Sequence, residues 1–514
     1  MPAAGRGVMN AFMRIHLLTG WLPICLFAIT AIGFVAVLLM KPANGRRKGL
    51  RREFAAALAG AVGGFVLIWL LSDIWLVFGV SLGWLVITEI TIAIALICLL
   101  ITAIADSHRA RRILAAVMIP LIIASCALQV DMVYGEYTTV GSLLNAPTYR
   151  HLDDKTVDDR NGTISVDEWR QLVKDGHAPA MPKQGEINQV TIPPTISGFA
   201  ARTTDVYLPP AALSKRPPRL PVMIMLAGQP GSPDRFFDAS QISGMLDAYA
   251  SSHHGLAPIV VSPDQNGAAT HNSLCADTPV YGNAETYLTV DVTNWVKKNL
   301  PVAATPNQWL IGGFSQGGTC STQLGPAHPE IYGHIFAADG ELEPTDHTKA
   351  DTIERYFAGN EHAYERHVPT HIIARHAPSK QTLFSVAGSW DVASQRNQLA
   401  IGKAAVKAGM QVTAVTALNS GHDWHAVQAG LRPTLERFCK QTGLGTQVTP
   451  LSAYGDIKVV DLQPIPKVLG RTETERAAAH GTGAVRPITD RIEADHAETH
   501  GDPTHTADNQ RGLR

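Results

Sequence analysis

Residues 309–319 read WLIGGFSQGGT, and the reading of this stretch decides the fold. Trp309-Leu310-Ile311 is a β-type run, Gly313-Phe314-Ser315-Gln316-Gly317 follows it, and a helix-compatible run comes next. G-x-S-x-G between a strand and a helix is the nucleophile elbow. That turn is so tight that the residues two before and two after Ser must be small, which exposes the Ser hydroxyl. The pentapeptide alone is common by chance, and a small residue in a turn is the competing reading; the flanking strand and helix favour the elbow.

Working outward, the elbow sits in a chain of alternating apolar runs and helical stretches. Residues 221–227 (PVMIMLA) form a continuous apolar run, as expected of a strand buried on both faces, and end in Gly228-Gln229-Pro230-Gly231. Further strands are expected at Val206–Leu208, Ile259–Ser262, Trp309–Gly312, His334–Ala338, Leu383–Ala387 and Val412–Leu418. Strands alternating with helices imply a mostly parallel sheet covered by helices, the α/β-hydrolase class of fold, over residues 188–442.

A Ser hydroxyl is a poor nucleophile near neutral pH and needs a base, itself oriented by an acid. In this fold the chain order is Ser, acid, His. Asp391 follows the strand TLFSVA in Gly388-Ser389-Trp390-Asp391, and His422 follows the next strand in Gly421-His422-Asp423-Trp424. Asp339, after the preceding strand, is a rival acid or a cap for the turn Asp339-Gly340. His425, three residues past His422 and inside the final helix, is a rival base. The oxyanion formed on attack needs backbone N–H donors. Gln316, the residue after the nucleophile, supplies one and Gln229 the other, since Pro230 has no N–H. Trp390 and Trp424 flank the acid and the base, and either wall an acyl pocket or pack ordinarily.

These features carry a resemblance. VYLPP, LAGQPG, GNAETYL at Gly282 to Leu288, GFSQGG and Gly421-His422-x-Trp424 make residues 188–440 similar to the esterase group that includes esterase D and the mycolyltransferases of actinobacterial envelopes. The resemblance implies Ser315 as nucleophile, His422 as base, Asp391 as acid, Gln229 with Gln316 as oxyanion hole, and no required cofactor. The mycolyltransferases carry Glu where Asp391 stands and a different residue at Gln229, and they are exported without a helical anchor. Cys275 and Cys320 both flank the elbow region and are expected to pair, with free buried thiols as the alternative.

The chain has 43 Lys+Arg against 44 Asp+Glu, a net charge of −1 that hides two opposed parts. Residues 1–130 hold eleven basic and four acidic residues, a net of +7, and the rest hold 32 basic and 40 acidic, a net of −8. A nucleic-acid binder resting on bulk positive charge is excluded. So is a disulfide-dense mini-protein, with six Cys in 514 residues. In the first part, Leu17 to Met40, Ala55 to Ser72, Leu82 to Ala105 and Ile113 to Val130 are apolar runs. A helix of about 20 residues spans a bilayer, so four transmembrane helices are expected. A cleavable signal peptide fits the first run poorly, because the run is long and lacks a small-x-small site.

Lys and Arg mark cytoplasmic loops. Lys41, Arg46, Arg47, Lys48, Arg51 and Arg52 load the first connection, and Arg109, Arg111 and Arg112 the third, while residues 73–81 carry none. The catalytic region is therefore expected outside the plasma membrane of a bacterium, with Arg6 and Arg14 a minor opposing signal. Glu89, inside the third span, is either a proton or headgroup contact or a carboxyl packed in the bundle.

Two polar segments complete the chain. In the linker 131–187, Asp159, Asn161, Gly162, Ile164 and Glu168 match positions of an EF-hand loop, though its first ligand position is Val157. A weak Ca²⁺ site and a solvated acidic turn are both open. Residues 443–514 read as a polar, largely disordered tail whose His496, His500 and His505 are expected to be solvated, with metal contact as the alternative. The sequence thus describes a membrane-anchored serine esterase or acyltransferase for an ester of an envelope lipid. The alternatives are acyl transfer to an envelope sugar and a non-catalytic scaffold with a hydrolase fold.

Overall fold

The computed structural model describes residues 12–462 apart from 14, 44, 76, 78–80, 106, 145–148 and 153–161. The elements used below are, among helices, α1 (Trp21–Leu39), α2 (Arg46–Trp69), α3 (Gly83–Ala105), α4 (Arg109–Tyr134), α5 (Val166–Lys174), α6 (Pro233–Ser240), α7 (Gln316–Ala327), α8 (Val392–Lys407) and α9 (Trp424–Gln441). The strands are β1 (Arg150–His151), β2 (Glu186–Val190), β3 (Thr204–Leu208), β4 (Val222–Leu226), β5 (Ile259–Ser262), β6 (Asp277–Thr278), β7 (Gly282–Asn283), β8 (Trp309–Phe314), β9 (His334–Ala338), β10 (Thr382–Gly388), β11 (Gln411–Ala417) and β12 (Ile457–Val459).

α1 to α4 are long and apolar enough to cross a membrane. At about 1.5 Å per residue the 19 residues of α1 already reach roughly 28 Å. Large apolar side chains such as Ile32, Leu58 and Val62 point outward, as lipid-facing residues do. One polar contact ties three of these helices together. Arg111 of α4 donates through Nη1 and Nη2 to the two oxygens of Glu53 in α2, both at 2.8 Å, and through Nε to the carbonyl of Val37 in α1 at 2.9 Å. Both side chains are 1% exposed. Removing one partner strands the other charge in a dry place, so Arg111→Met is expected to destabilise the bundle by about 3 kcal/mol. Thermal melting of the detergent-solubilised chain reads this, and the double variant Arg111→Met/Glu53→Leu should recover most of the loss. Glu89 lies in the bundle with Oε2 buried and without a protein hydrogen-bond partner.

Among the described residues, ten strands form one sheet in the order β1-β2-β3-β5-β4-β8-β9-β10-β11-β12, and β6 with β7 makes a separate ribbon. From β5 through β4, β8, β9 and β10 to β11 every pair is parallel. β3 joins β5 antiparallel and β12 joins β11 antiparallel. β4, β5, β8 and β9 are buried at every position, which is why they read as continuous apolar runs. A parallel sheet gathers the carboxyl ends of its strands along one edge, so the loops after β4, β8, β9, β10 and β11 converge there.

Two boundaries differ from those expected. Described residues between 131 and 187 pack on the domain: β1 pairs with β2, and Trp169 of α5 is fully buried and donates its indole N–H to the carbonyl of His254 at 3.1 Å. An amphipathic nine-residue helix has too little apolar length to announce itself among polar neighbours. Likewise, residues 443–462 fold back, with β12 on the sheet edge and Leu444, Ile457 and Leu462 buried. Asp159 and Asn161 lie outside the described residues, as do His496, His500 and His505. Glu168 faces Arg216, whose Nη2 donates to Oε1 at 3.0 Å.

Candidate active site

Ser315 stands between β8 and α7 with φ 56° and ψ −117°, in the left-handed half of backbone space, where a side chain persists only when its surroundings hold it. Its N–H donates to the carbonyl of Ala338 at 2.9 Å. The flanking glycines are there because nothing larger fits. A Cβ on Gly317 would lie 2.3 Å from the carbonyl oxygen of Leu226 and 2.6 Å from that of Ala227, and one on Gly313 would lie 2.5 Å from Gly317. The elbow predicted from residues 309–319 is therefore present.

His422 and Asp391 reach it from the two strands on that side. With the tautomer this geometry requires, Ser315 Oγ donates to His422 Nε2 at 2.8 Å, and His422 Nδ1 donates to Asp391 Oδ2 at 2.8 Å. Asp391 Oδ1 accepts from the Ser394 N–H at 3.0 Å, so the acid caps α8 and has one orientation. Of the two acids and two bases left open by the sequence, these are the pair that meets Ser315. His425 turns away, its Nε2 lying 3.2 Å from the carbonyl of Met132.

Charge follows this geometry. Burial favours a neutral His422 ring, but the Asp391 hydrogen bond and the nearby carboxyls of Asp339 and Glu341 outweigh it and raise its pKa above the ordinary 6.5. Burial also works against ionised Asp391, yet the His422 bond and the Ser394 contacts hold it at about 2. A base must be neutral to take a proton. As pH falls through the raised His422 value the ring is protonated, so kcat/KM is expected to drop on the acid side with an apparent pKa above 6.5. Asp391→Asn should move that limb to lower pH while lowering the plateau; a pH-rate profile of both proteins checks it.

Two segments border the nucleophile where the oxyanion donors were expected. Gln316 N–H belongs to the first turn of α7, where amides have no intrahelical acceptor. A Cβ on Gly228, next to Gln229, would lie 3.5 Å from Ser315 Cβ, so the loop after β4 borders the nucleophile. Unforeseen in the sequence is a buried amide network. Gln316 Nε2 donates to Asn266 Oδ1 and Asn272 Oδ1, both at 2.8 Å, while its Oε1 accepts from Asn266 Nδ2 at 2.8 Å and Gln265 Nε2 at 3.3 Å. The loop bearing these amides is tied to α7 by the Cys275–Cys320 disulfide. Arg202 clasps buried Asp264 with Nε and Nη2 and donates from Nη1 to the carbonyl of Gly231, joining this loop to the one after β4. Separations of 44 to 51 residues between the partners of the amide network left no local signal.

Trp424 does not wall a pocket: it is 2% exposed, its ring centroid is 4.8 Å from that of Phe314, and its N–H donates to Glu136. Trp390 is 57% exposed and, with Val392 and Leu418, forms an apolar rim at the ends of β10 and β11. Glu136 lies two residues past α4 and faces Arg235 of α6 at 3.6 Å, and a Cβ on Gly135 would lie 3.6 Å from Trp424 Cβ. The fourth apolar helix thus ends one side-chain layer from the histidine loop.

Residues 200–437 match the family described as "Putative esterase". An uncharacterized protein of Corynebacterium glutamicum is 29% identical over 339 residues, 65% of this chain and 77% of its own. Among solved structures, a ferulic acid esterase is 19% identical with a TM-score of 0.42, covering 50% of this chain and 98% of its own. An S-formylglutathione hydrolase from Agrobacterium tumefaciens is 17% identical with a TM-score of 0.43, covering 52% and 99%. The family segment contains Ser315, Asp391 and His422, and the enzyme class is serine ester hydrolase.

Proposed function

From the esterase segment 200–437 and the site it encloses, we propose a membrane-anchored extracytoplasmic hydrolase or acyltransferase that acts, through an acyl-Ser315 intermediate, on the acyl or aminoacyl ester of a cell-envelope lipid. The observation that carries this reading is the seating of the end of α4 against Trp424, two residues from His422. A site so close to a bilayer-spanning helix meets headgroup esters at high effective concentration. The exposed Trp390, Val392 and Leu418 beside it suit an apolar, interfacial substrate. The basic first and third connections support an extracytoplasmic site, and the disulfide suits an oxidising compartment.

In the proposed reaction Ser315 Oγ bonds to the ester carbonyl carbon as its proton passes to His422 Nε2. The oxyanion is met by the N–H groups of Gln316 and Gln229. His422 then gives its proton to the departing alkoxide, leaving the acyl group on Ser315. Water, or an envelope hydroxyl, loses a proton to His422 as it attacks the acyl carbon, and His422 passes that proton to Ser315 Oγ as it leaves. Hydrolysis and transfer differ only in the acceptor.

The test reconstitutes the full chain in vesicles with acyl- and aminoacyl-phospholipids and follows their loss by mass spectrometry, beside a water-soluble p-nitrophenyl ester. At least about tenfold higher kcat/KM for a vesicle-borne ester is expected. Turnover of the soluble ester with no turnover of any lipid ester overturns the lipid assignment while leaving the serine chemistry standing.

A further inference from the structure

Asp339 is a buried carboxyl beside the triad for which the reaction above has no task. It follows β9, the strand next to the nucleophile strand, with φ 46°, and is 1% exposed. Its Oδ1 accepts the N–H of Gly388 at 2.9 Å, and the carbonyl of that same Gly388 accepts the N–H of Asp391 at 3.1 Å. Its Oδ2 is buried and, among the described residues, has no hydrogen-bond partner. A ligand-type atom from each of Asp339, Asp391 and His422 lies within 4.8 Å of the other two. A buried carboxyl oxygen without a donor is unfavourable and calls for a cause.

On the reading of Ser315, His422 and Asp391 as the triad, we propose that Asp339 is a positioning residue and second acid. It fixes the loop that carries Asp391 through Oδ1 and adds charge stabilisation to the His422 imidazolium through the oxygen left unpaired. The groups facing this cluster are Asp391 after β10, Asp339 and Glu341 after β9, and Asp423 at the start of α9, with His422 the sole cationic group among them. Burial lifts the Asp339 carboxyl to about 8 while the His422 charge pulls it down, so the Asp339 carboxylate and the His422 imidazolium favour each other.

The test is a double-mutant cycle on the full chain with Asp339→Asn and Asp391→Asn, read as kcat, KM and a pH-rate profile on a p-nitrophenyl ester. Asn keeps the shape and an oxygen for the Gly388 N–H. Asp339→Asn alone is expected to lower kcat about tenfold at unchanged KM and to move the acid limb to lower pH. In the Asp391→Asn background the same change should cost about a hundredfold, because the remaining acid is then removed. An equal factor in both backgrounds with an unmoved limb means a purely structural Asp339 and overturns the proposal. Fluorophosphonate labelling of Ser315 is measured on every variant. Its absence in the parent protein refutes the triad itself, and its loss only in Asp339→Asn is checked against Asp339→Ser, which must show the same limb shift if the role is electrostatic.

Discussion

Ser315→Ala is expected to lower ester turnover by about 10⁴- to 10⁶-fold and to abolish labelling by a fluorophosphonate. Ala keeps the Cβ, so the elbow, the glycine contacts and the Ser315 N–H bond to Ala338 survive. What is lost is the oxygen 2.8 Å from His422 Nε2, and with it the covalent intermediate. His422 and the oxyanion donors remain, so slow activation of water at the bound ester is the expected residue of activity. Thermal stability should change little, which separates loss of chemistry from loss of fold. Labelling that persists in Ser315→Ala would place the nucleophile elsewhere and sink the triad.

How far the sequence led depends on the range over which each feature is determined. The strands at Ile259–Ser262 and His334–Ala338 fall where the apolar runs placed them, because burial on both faces leaves a local mark. The elbow was legible for a similar reason: backbone approaches of 2.3 to 2.6 Å permit only glycine at Gly313 and Gly317. Asp391 was preferred to Asp339 from its place in the chain order and from the resemblance, not from any local pattern. Both follow adjacent parallel strands, and only the loop path decides which carboxyl comes within 2.8 Å of His422 Nδ1. The contact between Glu136 and Trp424 joins residues 288 apart and leaves no pattern at either end. Trp424 accordingly read as either a pocket wall or an ordinarily packed ring, and it packs against Phe236 and Phe314. The edge strands β1 and β12 are two and three residues long, too short for a period to show.

Gly388→Ala is the backbone counterpart of Ser315→Ala, expected to lower kcat/KM by about 10² to 10⁴ with all three triad side chains in place. Gly388 ends β10 and Gly421 precedes His422, and the two loops meet backbone to backbone. A Cβ on Gly388 would lie 2.0 Å from the carbonyl oxygen of Gly421 and 2.7 Å from that of Ser420, where real Cβ contacts essentially never fall below 3.0 Å. Neither neighbour is the end of a flexible side chain, so the loops themselves must part by about an ångström. Each is short of slack: Ser389 N–H donates to the carbonyl of Ala417 and Trp390 N–H to that of Ser420, both at 2.8 Å. Asp391 lies three residues beyond Gly388 and His422 one beyond Gly421, so the displacement falls on their 2.8 Å bond. A misplacement of about 1 Å costs on the order of 10² in rate, and loss of the acid's orientation up to about 10⁴. The matched control is Gly244→Ala. That glycine lies inside the helix Ile242–Ser252 with nothing within 4 Å of the added methyl, so Ala there should leave kcat/KM unchanged and raise stability by about 0.5–1 kcal/mol. Steady-state kinetics and melting of both variants decide the matter. Parental activity in Gly388→Ala would mean that the acid and base loops can separate without loosening the Asp391–His422 bond, and that the acid is not what orients the base.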